Sequence, residues 1–283
     1  MLHTGHTMAT PDLALTDAIA LFAELGMAAT EVVAMTVAEQ GTRHGEAVGD
    51  ARIFSFEWDD AEVDDVTRLA RDRGVPVTTI TPYVKTINDA DDARRGAAVE
   101  LVSKYVEFAR RLGASYVRVY GGADGFGTES WPHLVSSLRT LGAHAADRGV
   151  TLVVENHPGT LTVTGASTAK LVQEVASPAV RALYDPANVL YHSDEAWERT
   201  LDVQRDMIAY VHVKDYRVED GKRVACPVGD GCVPWRDIFA RLREYGYDGS
   251  LSYEYEKKWN REQLPDARTG LARSIAFVRD ALG

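Results

Sequence analysis

Short β-branched runs alternate with amphipathic stretches along the 283-residue chain, those stretches repeatedly stop at glycine, and no glycine-rich phosphate loop follows an early strand. Together these predict an α/β protein folded as a single (β/α)8 TIM barrel over residues 1–283, a fold that needs about 250 residues. A doubly wound open sheet is the rival. It would ask for G-x-G-x-x-G or a P-loop between a strand and a helix, and GGADGFG at 121–127 has neither the spacing nor the place.

The elements follow in order. LHTGHTMA (2–9) is the weakest strand assignment and is needed to complete eight βα units. The amphipathic run DLALTDAIALFAELG then closes at Gly26, and TEVVAMTV (30–37) reads as the next strand. The polar stretch GTRHGEAVGD (41–50), with His44, is long enough for a lid. DDAEVDDVTRLARDRG reads as a helix ending at Gly74, followed by the strand VPVTTITPYV (75–84). A long helix from about Asp89 to Leu112 stops at Gly113 before ASYVRVYGG (114–122). ESWPHLVSSLRTLGAHAADRG ends at Gly149, and TLVVENHP (151–158) follows. STAKLVQEVA precedes the strand VRALYDPAN (180–188), and DEAWERTLDVQRDMI precedes AYVHVKDY (209–216). PWRDIFARLREYG reaches Gly246 before GSLSYEYE (249–256), and a last helix from about Asp266 to Leu282 closes the chain.

Hydrophobic residues at 45% and charged residues at 26% fit a soluble globular protein. No run of some 18 apolar residues could span a membrane, so no membrane association is expected. The formal net charge of −11 argues against a nucleic-acid partner, because phosphate neutralisation needs clustered Lys and Arg. Cys226 and Cys232, in C-x5-C spacing, make a poor zinc pattern and no disulfide framework. The first residues lack the basic and apolar regions of an export signal, so a cytoplasmic location is expected.

Strand alternation sorts the polar residues. Glu155 and His157 share a face with Val153, Asp185 with Arg181 and Leu183, His212 and Lys214 with Tyr210, and Glu254 and Glu256 with Ser252. In a barrel these faces look inward, and chemistry gathers at the C-terminal strand ends. One buried carboxylate is more often a structural ion pair than a ligand. Four successive strands, each aiming a metal-capable group at one rim, change that weighing. Three carboxylates in a low-dielectric pocket repel one another by several kcal/mol unless protonated or neutralised by a cation. Three carboxylates and one imidazole suit one divalent ion, with Mn²⁺ the leading candidate and Co²⁺, Zn²⁺ and Mg²⁺ admitted.

The motifs VVENH (153–157), YDPAN (184–188), HVKD (212–215) and VGDGCVPWRDIFARLREYGYDGSLSYEYE (228–256) give a resemblance to the xylose isomerase-like TIM-barrel superfamily. Within it, the sequence resembles the sugar phosphate isomerase/epimerase family, which includes ketose 3-epimerases, hydroxypyruvate isomerases and inosose dehydratases. The resemblance runs from about residue 12 to the end. It implies metal ligands at Glu155, Asp185, His212 and Glu254, the residues that alternation selects. It also implies that Glu155 and Glu254 flank the substrate carbon and move its proton, while the metal holds vicinal oxygens. Such a role agrees with the chemistry, since a polarised carbonyl acidifies the neighbouring C–H and stabilises an enediolate. One departure stands out: ketose 3-epimerases commonly carry a substrate-contacting His three residues after the ligand Asp, and here that residue is Asn188. Barrels of this group often form dimers or tetramers, so a homo-oligomer is expected.

The remaining candidates are weighed against plainer roles. His157 is a substrate contact or a His bonded beneath its loop, with nothing to separate them. Lys214 could steady an enolate, but an ion pair with Glu256 is the plainer reading, and Glu256 itself reads as support. Arg118 in VRVYGG, if inward, demands a carboxylate partner and is expected to orient a ligand Glu. Asp230 in Gly-Asp-Gly is first a turn, the five tryptophans are packing or rim walls, and His3 and His6 reach the mouth if the first strand forms.

The expected function is therefore a metal-dependent isomerase or epimerase of a small sugar or keto-polyol, acting by proton abstraction beside a polarised carbonyl. The alternative is a dehydratase or lyase on a keto-inositol or keto-sugar. An endonuclease IV-like phosphodiesterase would need a His-richer rim and a basic surface, and a non-catalytic carbohydrate-binding subunit is the last reading.

Overall fold

A computed structural model of the chain describes residues 1–35 and 58–283. Its first elements are β1 (Leu2–His6), α1 (Leu15–Glu24), β2 (Ala29–Val33), α2 (Asp60–Asp72), β3 (Val77–Thr81), α3 (Asp92–Leu112), β4 (Tyr116–Tyr120) and α4 (Trp131–Ala146). Then come β5 (Thr151–Glu155), α5 (Gly165–Val175), β6 (Val180–Tyr184), α6 (Pro186–His192), α7 (Trp197–Gln204) and β7 (Ile208–Val213). The chain ends with β8 (Asp215–Glu219), β9 (Lys222–Cys226), α8 (Trp235–Glu244), β10 (Ser250–Tyr253) and α9 (Ala267–Leu282). Eight strands in the order β1-β10-β7-β6-β5-β4-β3-β2 form a closed barrel, while β8 and β9 pair separately. The predicted fold class holds, and the uncertain stretch 2–9 does supply the first strand.

The chain groups into two compact units, Met1–Val77 with Val211–Gly283, and Thr78–Tyr210. In the first, β1 lies parallel between β2 and β10, with Thr4 opposite Ala29 and Ser252. A Cβ on Gly5 would stand 2.4 Å from the Phe22 ring, so α1 can pack this closely on β1 only because the residue is glycine. α2 begins with a capping box in which Asp59 and Glu62 each accept the other's backbone N–H, and it buries Val63, Val66 and Ala70. α8 buries Trp235, Ile238, Phe239 and Leu242 along one face.

In the second unit, β4, β5 and β6 run parallel with Tyr120 opposite Glu155 and Glu155 opposite Leu183. Val153, Leu183 and Tyr210 form a buried cluster, with Tyr116 and Ala209 packed against it. Alternation therefore puts an apolar layer under Glu155, two residues further along the same face. α3 stops at Gly113, whose φ of 74° lies in the left-handed region that glycine enters without strain. Gly26, Gly74, Gly149 and Gly246, the other predicted stops, share that backbone.

Several predicted strands run past the observed ones, and two of them stop for a clear local reason. The stretch predicted as 180–188 is strand only to Tyr184, because the Asp185 side chain accepts the Asn188 N–H and Pro186 takes the first turn of α6. The stretch predicted as 209–216 ends at Val213, and Asp215 opens an antiparallel hairpin. Asp220 (φ 49°) and Gly221 (φ 74°) make its two-residue turn, with both residues left-handed as a type I′ turn requires. The predicted lid around His44, and the end of the strand predicted at 30–37, lie outside the described residues. Among the described residues no helix is long and apolar enough to cross a membrane.

Candidate metal centre

Glu155 is the last residue of β5 and is fully buried. Its Oε2 lies 3.1 Å from Arg118 Nε, and its Oε1 accepts an Asn188 amide proton at 3.2 Å. Arg118, itself 1% exposed, also donates to the Pro82 carbonyl and lies over the Tyr120 ring at 3.9 Å. A buried carboxylate needs such partners, and this one has a fixed cation and a fixed amide. Arg118, expected to orient a ligand Glu, thus faces Glu155.

Asp185 follows β6 and is likewise fully buried. Its backbone is clamped by the residue that follows β5: the Asn156 amide donates to the Asp185 carbonyl at 2.6 Å and accepts the Asp185 N–H at 2.9 Å. Asn156 thereby fixes the position of the next strand's carboxylate. Asn188 donates to Glu155 and to the Asn156 carbonyl, so both protons of its amide serve the site's frame. His157 is half-buried, its Nδ1 2.6 Å from the Pro158 carbonyl and its ring edge-on to Tyr120.

In the other unit, His212 on β7 is fully buried, with Nε2 3.2 Å from Glu31 Oε1 and Nδ1 3.3 Å from Glu254 Oε2. Lys214 pairs with Glu254 at 2.6 Å and with Glu256 at 3.4 Å. The expected ion pair to Glu256 is present, but the shorter contact is to Glu254. Burial alone would raise the Glu254 carboxyl, but Lys214 and then His212 override it and hold the group well below the usual carboxylate range. Glu256 is bridged outward to Arg223 of β9 at 2.6 Å. Trp235, a candidate rim wall, is buried and donates its indole N–H to the Lys214 carbonyl. Asp230 turns away to bond Arg273.

Sequence reasoning passed over Glu31 and Arg223 and assigned no role to His6. Glu31 is a fully buried carboxylate within β2, and His6 Nε2 faces its Oε1 at 3.4 Å. The signal was a charged residue inside the apolar strand TEVV. For Arg223 the signal was Asp-Gly between RVE and KRV, a hairpin pattern. His6, Glu31 and His212 bring donor atoms close enough to hold an ion, and the carboxylates and imidazoles of both units have the chemistry that a divalent metal takes.

A family model described as xylose isomerase-like TIM barrel matches residues 19–281. The chain belongs to the xylose isomerase-like TIM barrel family. Curated relatives in this family include the inosose dehydratase of Geobacillus thermodenitrificans, 29% identical over 147 residues, covering 47% of this chain and 49% of that protein. The inosose dehydratase of Bacillus licheniformis is 31% identical over the same length and the same shares. The matched segment thus spans about half the length of these relatives. Among solved structures, D-psicose 3-epimerase in the presence of D-fructose has a TM-score of 0.78 at 18% identity, each chain covered in full. The apo form of 3-keto-D-glucoside 4-epimerase from E. coli reaches 0.75 at 19% identity, with 99% of each chain covered. The probable 3-DHS dehydratase from Bacillus anthracis reaches 0.74 at 18%, again with 99% of each covered. At those identities the structures speak for the fold.

Proposed function

We propose that this chain is a divalent-metal-dependent isomerase or epimerase of a small sugar or keto-polyol. The observation that carries the reading is that each unit buries metal-capable groups at its strand ends: Glu155 and Asp185 are both fully buried in one, and His212 Nδ1 lies 3.3 Å from Glu254 Oε2 in the other. Buried carboxylates beside an imidazole call for a cation. His212 adds to the case. With its Nε2 proton directed at Glu31, a neutral imidazole turns its Nδ1 lone pair toward Glu254, and like poles meet unless a cation or an extra proton sits between them.

The four residues would hold the ion, Mn²⁺ first by donor chemistry, and a bound divalent ion supplies Lewis-acid polarisation of a substrate carbonyl. The chain's own residues do the rest. Arg118 and Asn188 fix Glu155, and Lys214 fixes Glu254, so that neither carboxylate swings when charge moves. Lys214 and His212 hold the Glu254 carboxyl low and Arg118 faces Glu155, so either glutamate can take the proton from the carbon beside the carbonyl, and the other returns it on the other face or the neighbouring carbon. Burial of both keeps water from quenching the carbanion.

The curated relatives' name, inosose dehydratase, favours a second reading at the same site: abstraction followed by loss of a β-hydroxyl from a keto-inositol or keto-sugar. Lys214 would then be the cationic proton donor for the departing oxygen.

Incubation of Mn²⁺-loaded protein with ketoses and keto-inositols in D₂O separates the two. An isomerase or epimerase returns a deuterated isomer, and a dehydratase accumulates an enone absorbing in the ultraviolet. Glu155→Gln and Glu254→Gln are each expected to cut turnover by about 10²–10⁴-fold. Either variant binding metal normally and keeping full turnover would sink the reading.

A further inference from the structure

The first unit carries a closed polar cluster one layer behind the proposed metal ligand His212. Glu31 Oε1 faces His212 Nε2 at 3.2 Å and His6 Nε2 at 3.4 Å, and Glu31 Oε2 accepts the Ser252 hydroxyl at 2.6 Å. All four residues are fully buried. His6 Nδ1 accepts the backbone N–H of Met8 at 3.1 Å, so that nitrogen carries a lone pair and the ring proton sits on Nε2, aimed at Glu31.

That proton decides what the cluster is. His6, Glu31 and His212 bring donor atoms together as a metal site would. For His6 to bind an ion through Nε2, its ring would have to become an imidazolate while Nδ1 still accepts the Met8 N–H. Both Glu31 oxygens also already face donors. The trio is therefore complete without an ion.

We propose that Glu31 is a positioning residue for His212. It holds the Nε2–H tautomer and the ring plane, so that Nδ1 presents its lone pair toward Glu254 and the proposed ion. His6 and Ser252 hold Glu31 in turn. A carboxylate behind a ligand His fixes ring orientation and raises ligand basicity, and its loss costs about 10–100-fold in metal affinity. The inference rests on the metal-site reading above for its consequence, while the tautomer stands on its own.

The test uses the full chain. Long-range ¹H–¹⁵N spectra of the metal-free wild type are expected to show the His212 ring in the Nε2–H form alone, and those of Glu31→Gln to show a mixture of tautomers. Titration with Co²⁺, followed by its visible absorption, is expected to give one equivalent for wild type and about 10–100-fold weaker binding for Glu31→Gln. Ser252→Ala, which keeps the carboxylate and loses one of its anchors, is expected to weaken binding severalfold and serves if Glu31→Gln does not fold. A wild-type His212 protonated on Nδ1 overturns the proposal. So does a folded Glu31→Gln that binds Co²⁺ within twofold of wild type, or a second equivalent of Co²⁺ that requires His6. A wild type that binds no Co²⁺ but shows the Nε2–H ring would instead overturn the metal-site reading and leave the positioning intact.

Discussion

Arg118 and Glu155 form a buried pair whose two charges depend on each other. Arg118→Met removes the cation and leaves the carboxylate unpaired, which is expected to cost about 3–5 kcal/mol. Urea unfolding of the metal-free protein measures it, and a loss under about 1 kcal/mol would show that Asn188 suffices. Glu155, Asp185, His212 and Glu254 could be read from the sequence because each interrupts an apolar run at a strand's C-terminal end, where alternation assigns a face. Glu31 interrupts TEVV in the same way, but its meaning depends on partners 181 and 221 residues away, which no local pattern joins. Asn188 was legible as a departure from a family pattern; that its amide braces Glu155 required coordinates.

Asp215 does for a loop what Glu31 does for a ring. Its Oδ1 accepts the N–H groups of Tyr216 and Val233, and its Oδ2 those of Gly229 and Gly231. A Cβ on Gly231 would lie 2.0 Å from that carboxylate, so the loop closes on Asp215 only with glycine there. Burial pushes the Asp215 carboxyl up, while the backbone donors pull it back. Asp215→Ala is expected to cost about 2 kcal/mol or more, since buried N–H groups lose their acceptor. Hydrogen exchange should show Gly229, Gly231 and Val233 amides opening together, and protection unchanged there would refute the clamp. The helices from α1 to α9 were legible from period and glycine stops, except α6, whose single capping Asp and Pro were absorbed into a strand. The hairpin escaped because HVKDY continues the strand pattern across a point where the backbone turns.

Closure of the barrel was legible from rhythm together with the missing glycine-rich phosphate loop, which set the doubly wound open sheet aside. What the rhythm could not give is the balance of charge inside. A bound ion would offset it, and linkage then ties stability to metal. At a free Mn²⁺ concentration about 100-fold above its Kd, the folded state should gain ~2.7 kcal/mol. Calorimetry should show the melting temperature rising by several degrees and returning on chelation. Melting temperatures that ignore Mn²⁺, Co²⁺ and Zn²⁺ alike would remove the ion from the account.

The β8–β9 ribbon has both feet tied, by Asp215 on one side and by the Ala225 N–H donating to Gln263 on the other. Its tip, Asp220–Gly221, is exposed. Residues spliced in at the tip would lengthen the ribbon outward without shifting Arg223 from Glu256. The tip is thus a port for a fluorophore or affinity peptide, one salt link and one lysine away from Glu254.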